Sequence, residues 1–234
     1  MRRILILIVF GTVGTALLVG LGVWQVRRLA WKQEILAEIE SRIAAPPAAF
    51  LPADPDPERD RYLPVRLSGT IEAGEIHVLV STKDAGAGYR IIAPFLVDAA
   101  TDDGDAASGG RRIMIDRGFV RSENRDQVRQ LGPATVTGNL HWPQETDSFT
   151  PEAEIDANIW YARDVPAMAS ALDTEPVLLV ARSATDPGIR PLPVDAHGIP
   201  NDHLQYAVTW FSLAAIWAGM SILLLWRSRA RKTG

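Results

Sequence analysis

Two long apolar runs and a series of short alternating ones organise the chain. Residues 4–26 and 204–226 are each 23 residues long and carry no charge. At 1.5 Å per residue, a helix of that length reaches roughly 35 Å, slightly more than the ~30 Å hydrocarbon core of a bilayer. Two isolated runs cannot close a barrel in lipid, so each predicts a transmembrane helix. A cleavable signal peptide is the alternative for the first run. Its apolar stretch is long for that role, and no clean small-x-small cleavage site follows it.

The first helix is predicted to continue past the bilayer. Ile35, Leu36, Ile39 and Ile43 keep an apolar face at helical spacing, with Glu34, Glu38 and Glu40 off it. Pro46 and Pro47 stop it, and the Pro- and Asp-rich stretch to Pro64 reads as an extended connector. Short β-type runs follow at 62–68, 71–80 (broken by Gly74), 90–97, 112–120, 134–140, 159–162 and 177–181. One helix is expected at 166–172, capped near Asp164 or Val165. Residues 98–110 read as a polar hairpin tip, and 186–200, with four prolines, as a stiff connector.

The expected fold class is a membrane-anchored α+β protein. Two transmembrane helices flank a mainly antiparallel β domain, curled into a sandwich or an open barrel. The layout is a short N-terminus at 1–3, a first span at 4–26, a strand-rich extracytoplasmic domain at 27–203, a second span at 204–226 and a basic tail at 227–234. Gly11, Gly14, Gly20 and Gly22 lie in the first span, with Ala16 four residues before Gly20. Such spacing lets a second helix approach closely, although glycine is common in membrane helices for other reasons.

Charge orients this layout. All 28 acidic residues lie between Glu34 and Asp202, against 15 basic ones there, so the middle carries −13 and the ends +9. No basic stripe lies on the folded part, which excludes a nucleic-acid binder. Arg227, Arg229, Arg231 and Lys232 place the C-terminus on the cytoplasmic side. With two spans, Arg2 and Arg3 lie on the same side and the domain lies outside. Arg27, Arg28 and Lys32 run against that rule, which asks for a reason of their own. The chain has no cysteine, which excludes thiolate copper carriage and covalent haem attachment through CxxCH.

Catalytic motifs are missing from the sequence. His77, His141, His197 and His203 form no HxxxH or HExxH spacing, and there is no GxSxG elbow or phosphate-binding loop. The two membrane junctions carry the chemistry instead. In the first, Trp24 and Trp31 lie seven apart with Arg28 and Lys32 beside them. This is either an aromatic belt with snorkelling bases or a cationic, aromatic cradle for an amphipathic anion. In the second, His203, Tyr206, Ala207, Trp210, Ala214 and Trp217 fall on one helix side. His203 is then either an interfacial hydrogen-bonding residue or an axial haem ligand.

The residues Trp24-Gln25-x-x-Arg28-x-x-Trp31-Lys32 and Asn201-Asp-His203-Leu-Gln205-Tyr206-Ala-Val-Thr209-Trp210 resemble the paired end motifs of the surfeit-locus family of cytochrome c oxidase assembly factors. Leu67-Ser-Gly69, Gly88-Tyr89, Pro94-Phe95, Asp116-Arg117-Gly118-Phe119-Val120 and Gly138-Asn-Leu140 fall between them in the family's order. The resemblance covers nearly the whole chain. It implies a non-catalytic role in building haem–copper oxidase: receiving haem a from its synthase and assisting delivery to oxidase subunit I. The family's axial ligand falls on His203, and Trp24, Arg28, Tyr206 and Trp210 match other motif positions. Arg28 then stands where a haem propionate could pair with it. The alternative within this reading is a haem-free scaffold holding subunit I and the synthase together. The short N-terminus, without an Arg- and Ser-rich transit peptide, points to a bacterial inner membrane.

Overall fold

The computed structural model describes residues 2–98, 110–196 and 199–230. Residues 99–109 of the expected hairpin tip, His197 and the end of the basic tail lie outside the described residues. The chain forms two compact units, one of Met1–Glu38 with Ala196–Gly234 and one of Ile39–Asp195. Helix α1 runs Arg2–Ala44 and stops just before the two prolines, as the apolar periodicity predicts.

The second unit holds seven strands: β1 Pro64–Ile71, β2 Ile76–Thr82, β3 Gly86–Val97, β4 Arg111–Arg121, β5 Gly132–Leu140, β6 Ile159–Trp160 and β7 Leu178–Ala181. Their order is β1-β5-β7-β4-β3-β2-β6, and β1 also pairs with β3. That extra pairing, Gly69–Ile71 against Phe95–Val97, closes β1, β5, β7, β4 and β3 into a five-stranded barrel. The barrel is therefore closed where the sequence left a sandwich or an open barrel as choices. β4–β7 and β2–β6 run parallel, and the remaining pairs are antiparallel.

The interruption expected near Gly74 falls between β1 and β2, so Ile71 ends β1 rather than opening the next strand. The length of β3 explains why. Its 12 residues carry β2 along Gly86–Ile92 and β1 along Phe95–Val97 on the same edge. The chain must break between those two pairings. Helix α2, Val165–Leu172, is capped by Asp164, whose side chain accepts from the Ala167 N–H at 3.1 Å. It packs on β4 through buried Met168, Ala169 and Leu172. With α2 on one side and the barrel interior on the other, Ile113, Met114 and Ile115 are all buried, so this strand reads as a continuous apolar run.

A bulge in β4 places the Asp116-Arg117-Gly118 motif. Ile91 faces Gly118 and Ile92 faces Asp116, which leaves Arg117 as the extra residue. Gly118 takes φ +116, and a Cβ there would stand 2.2 Å from the Arg190 carbonyl oxygen. The Asp116 carboxylate is fully buried and accepts from Arg90 (2.6 Å), Arg163 (3.3 Å) and the Gly118 N–H (3.0 Å). The Arg117 guanidinium donates to Thr185 Oγ1 and to the Gln130 carbonyl, both at 2.9 Å. Burial pushes Arg117 below its ordinary range, against the opposing charge of Asp186.

Where β5 ends, Asn139 ties three segments together. Its amide donates to the carbonyls of Ile43 (3.2 Å) and Tyr62 (2.8 Å), and its oxygen accepts from Arg182 at 2.7 Å. The last turn of α1 is thereby capped by the barrel domain. Tyr62 adopts φ +71, held by its N–H to the Leu140 carbonyl at 2.8 Å, and its ring stacks on His141. Burial, reinforced by the positive charges of Arg163 and Arg61, lowers the His141 imidazole to about 4.

Two consequences are measurable on the detergent-solubilised protein. Gly118→Ala forces an L residue into a left-handed backbone and a methyl into the Arg190 carbonyl; a loss of about 1–3 kcal/mol or more is expected in denaturant midpoints. A midpoint equal to wild type would show that the bulge relaxes freely. His141 is neutral when folded and has an ordinary pKa when unfolded. Stability is therefore full above about pH 6.5 and is lost as pH falls toward 4, by at most about 3 kcal/mol. His141→Gln should flatten that part of the stability–pH curve, and an unaltered slope would assign the loss to other groups.

Candidate functional site at the paired helix ends

The first unit is an antiparallel helix pair, the membrane part of α1 with α3, His203–Ala230. Both helices are long and apolar enough to cross a membrane. Their association rests on absent side chains. A Cβ on Gly11 would stand 2.8 Å from Ser221 Cβ, one on Gly14 2.3 Å from Trp217 Nε1, and one on Gly22 2.7 Å from Phe211. Ala207 and Ala214 are buried on the α3 side, and Phe10 lies against Trp217 with ring centroids 5.2 Å apart. Small residues at these positions bring the backbones close enough for dispersion to hold helices that gain nothing from hydrophobicity in lipid. Of the expected small-residue stripe, Gly11, Gly14 and Gly22 meet α3, whereas Gly20 meets nothing within 4 Å.

The pairing aligns residue 25 of α1 with residue 203 of α3. His203 Nδ1 lies 2.8 Å from Gln25 Oε1, and Gln25 is only 8% exposed. An amide oxygen can only accept, so Nδ1 carries the proton. In the uncharged form of the ring, that leaves the lone pair on Nε2. The described residues give Nε2 no hydrogen-bond partner.

The other residues expected at this site take different positions. Trp24 and Tyr206 are exposed by more than half, at 56% and 55%, and Trp210 is half-buried. On α3 it is Ala207 and Ala214 that are buried, so the side shared with His203 divides between helix contact and outward-facing aromatic rings. The Arg28 guanidinium sits 4.0 Å from the centroid of the Trp31 ring. It forms no ion pair with a described carboxylate, which leaves its charge available. His203 and Gln25 are thus in direct contact, while Trp24 and Arg28 neighbour Gln25 along α1, and Tyr206 and Trp210 follow His203 along α3, without bonding to the imidazole.

Gln25 was not among the residues expected to form the site. A lone amide near the end of 23 uncharged residues was the available signal, since a polar group at that depth needs a partner. Among the described residues no three His, Cys, Asp or Glu side chains gather as a metal site. A haem iron asks for a single imidazole with a free nitrogen, flat apolar neighbours and a cation for its propionates. His203 Nε2, the outward rings of Trp24 and Tyr206, and Arg28 fit that requirement.

A small closed barrel with an antiparallel pair of apolar helices at its chain ends defines a membrane-anchored class of protein. The model of the SURF1 family matches residues 12–215, and the chain belongs to that family. It is similar to surfeit locus protein 1 of Rattus norvegicus, 32% identical over 221 residues covering 84% of this chain and 68% of the relative. The Homo sapiens protein of the same name is 32% identical over 219 residues, covering 84% and 70%. A SURF1-like protein of Drosophila melanogaster is 30% identical over 223 residues, with 84% and 70% covered.

The natural chain lacks cysteine, so introduced thiols report on the helix pairing directly. Gly11→Cys with Ser221→Cys should oxidise to a disulfide, detected as a cross-link that survives proteolytic cleavage of the barrel domain. Gly20→Cys with Gly219→Cys, two positions open on every side, should remain reduced. The reverse pattern would place a different face of α1 against α3.

Proposed function

We propose that this chain is an assembly factor for haem–copper terminal oxidase that binds haem a and assists its delivery to oxidase subunit I. The observation that carries the proposal is His203, whose Nδ1 is engaged by Gln25 and whose Nε2 has no hydrogen-bond partner among the described residues. When bound, haem a supplies an iron with an axial position that one imidazole can fill. Arg28 would hold a propionate by a charge-assisted hydrogen bond, leaving Trp31 or keeping it as a stacking partner. Trp24, Tyr206 and Trp210 would flank the macrocycle.

The role is non-catalytic. His203 is a single ligand with no thioether partner, so binding is reversible and suits hand-over to a client. Haem a synthase is the proposed donor, oxidase subunit I the acceptor, and the lipid bilayer the medium in which they meet. The basic flanks support a topology with both termini on the cytoplasmic side and the acidic barrel on the outer face of an energy-coupling membrane, which in a bacterium is the inner membrane.

A second reading is a haem-free scaffold holding subunit I and the synthase together. The open faces at Gly20 and Gly219, against which further helices could pack, favour it. Purification from a haem a-producing host separates the two. The full chain should carry pigment with a haem a pyridine haemochrome spectrum, and His203→Ala should bleach or shift it. Colourless wild-type protein that still supports oxidase maturation would establish the scaffold instead.

A further inference from the structure

Resting on the haem reading of His203, we infer that Gln25 is a positioning residue: its amide oxygen fixes the tautomer and the plane of the imidazole so that Nε2 faces an incoming haem. Three observations support this role. The two side chains are within direct hydrogen-bond distance, at 2.8 Å between Nδ1 and Oε1. The Gln25 side chain is buried at 8% exposure, in a unit where Trp24 on one side and Val26 on the other are exposed at 56% and 45%. Finally, the contact crosses from α1 to α3, so it ties the ligand's orientation to the helix pairing set by Gly11, Gly14 and Gly22.

The chemistry follows from the two ring nitrogens. A free imidazole exchanges its proton between Nδ1 and Nε2, and only the Nδ1–H form offers Nε2 to a metal. An acceptor placed on Nδ1–H selects that form before any ligand arrives. It also restrains rotation of the ring and raises the basicity of Nε2, as acceptors behind metal-binding histidines generally do. A neutral amide provides a mild version of this effect. A carboxylate in its place would draw the proton more strongly and make Nε2 the better donor to ferric iron. Glutamine thus orients the ligand without tightening it, which suits a carrier that must also release.

The experiment titrates the detergent-solubilised full chain with haem a and measures affinity, absorption spectrum and midpoint potential for wild type, Gln25→Leu, Gln25→Glu and His203→Ala. Gln25→Leu should lower affinity by about 10–100-fold, the usual cost of losing the partner behind a metal-binding histidine. Gln25→Glu should retain binding and shift the potential to more negative values. That second change is not one a purely packing role would produce. Cross-linking through Gly11→Cys and Ser221→Cys in the Gln25→Leu background should persist, showing that the helices still pair.

If that cross-link is lost, the Gln25→Glu potential alone decides. Wild-type affinity in Gln25→Leu, or wild-type potential in Gln25→Glu, while His203→Ala still loses the pigment, would overturn the role of Gln25 and leave the haem reading standing. An unchanged spectrum in His203→Ala would remove both.

Discussion

Two apolar helices in lipid have no hydrophobic reason to associate, because their side chains are as well solvated by acyl tails as by each other. What draws them together here is subtraction. Gly11, Gly14 and Gly22 leave space that Ser221, Trp217 and Phe211 fill, and at none of the three would a β-carbon fit without displacement. That antiparallel fit sets the register for the whole pair. At its end, it makes residues 25 and 203 meet although 178 positions separate them in the chain. Shift the register by one residue and Gln25 would rotate away by about 100°, leaving a buried amide without a partner and an imidazole with both nitrogens free.

The barrel solves a related problem with backbone rather than lipid. Five strands closed on themselves leave few unpaired edges, and the part of β3 beyond β1 takes on β2, which in turn takes on β6. Tight packing brings carbonyl oxygens of neighbouring segments against several strands. The glycines at 69, 88, 118 and 138 stand where a Cβ would come within 2.1–2.3 Å of such an oxygen. The central motifs are therefore steric conditions for the barrel rather than parts of a site. Asp116 belongs with them: its buried carboxylate organises two arginines and the bulge N–H, and an unpaired charge there would be strongly destabilising.

Much of this was legible in the residues. Seven β-type runs appear as seven strands, the amphipathic face from Ile35 to Ile43 extends α1 to Ala44, and Asp164 caps α2. Period and punctuation are local, so they can be read locally. Closure was not legible, because it depends on three residues of β1 finding the far end of β3. Nor was the break between β1 and β2, since it is the partner strand's length rather than Gly74 that dictates it. At the membrane junctions, His203 was recognisable from its motif, whereas Gln25 required the helix register. Helical spacing put Tyr206 and Ala207 on one side with His203; the structure separates them, with Ala207 packed and Tyr206 turned outward.

That separation bears on how a haem site could operate at these helix ends. A storage site would enclose its ligand, with aromatic rings buried around a closed cavity and often a second axial residue. Here the imidazole is anchored from behind while Trp24 and Tyr206 remain more than half exposed, so those rings enclose no buried pocket. Openness reduces the apolar area a ligand can bury and so limits affinity, since each square ångström removed from water is worth about 25 cal/mol. On the proposed haem reading, a ligand oriented from behind between exposed rings would suit transfer rather than storage.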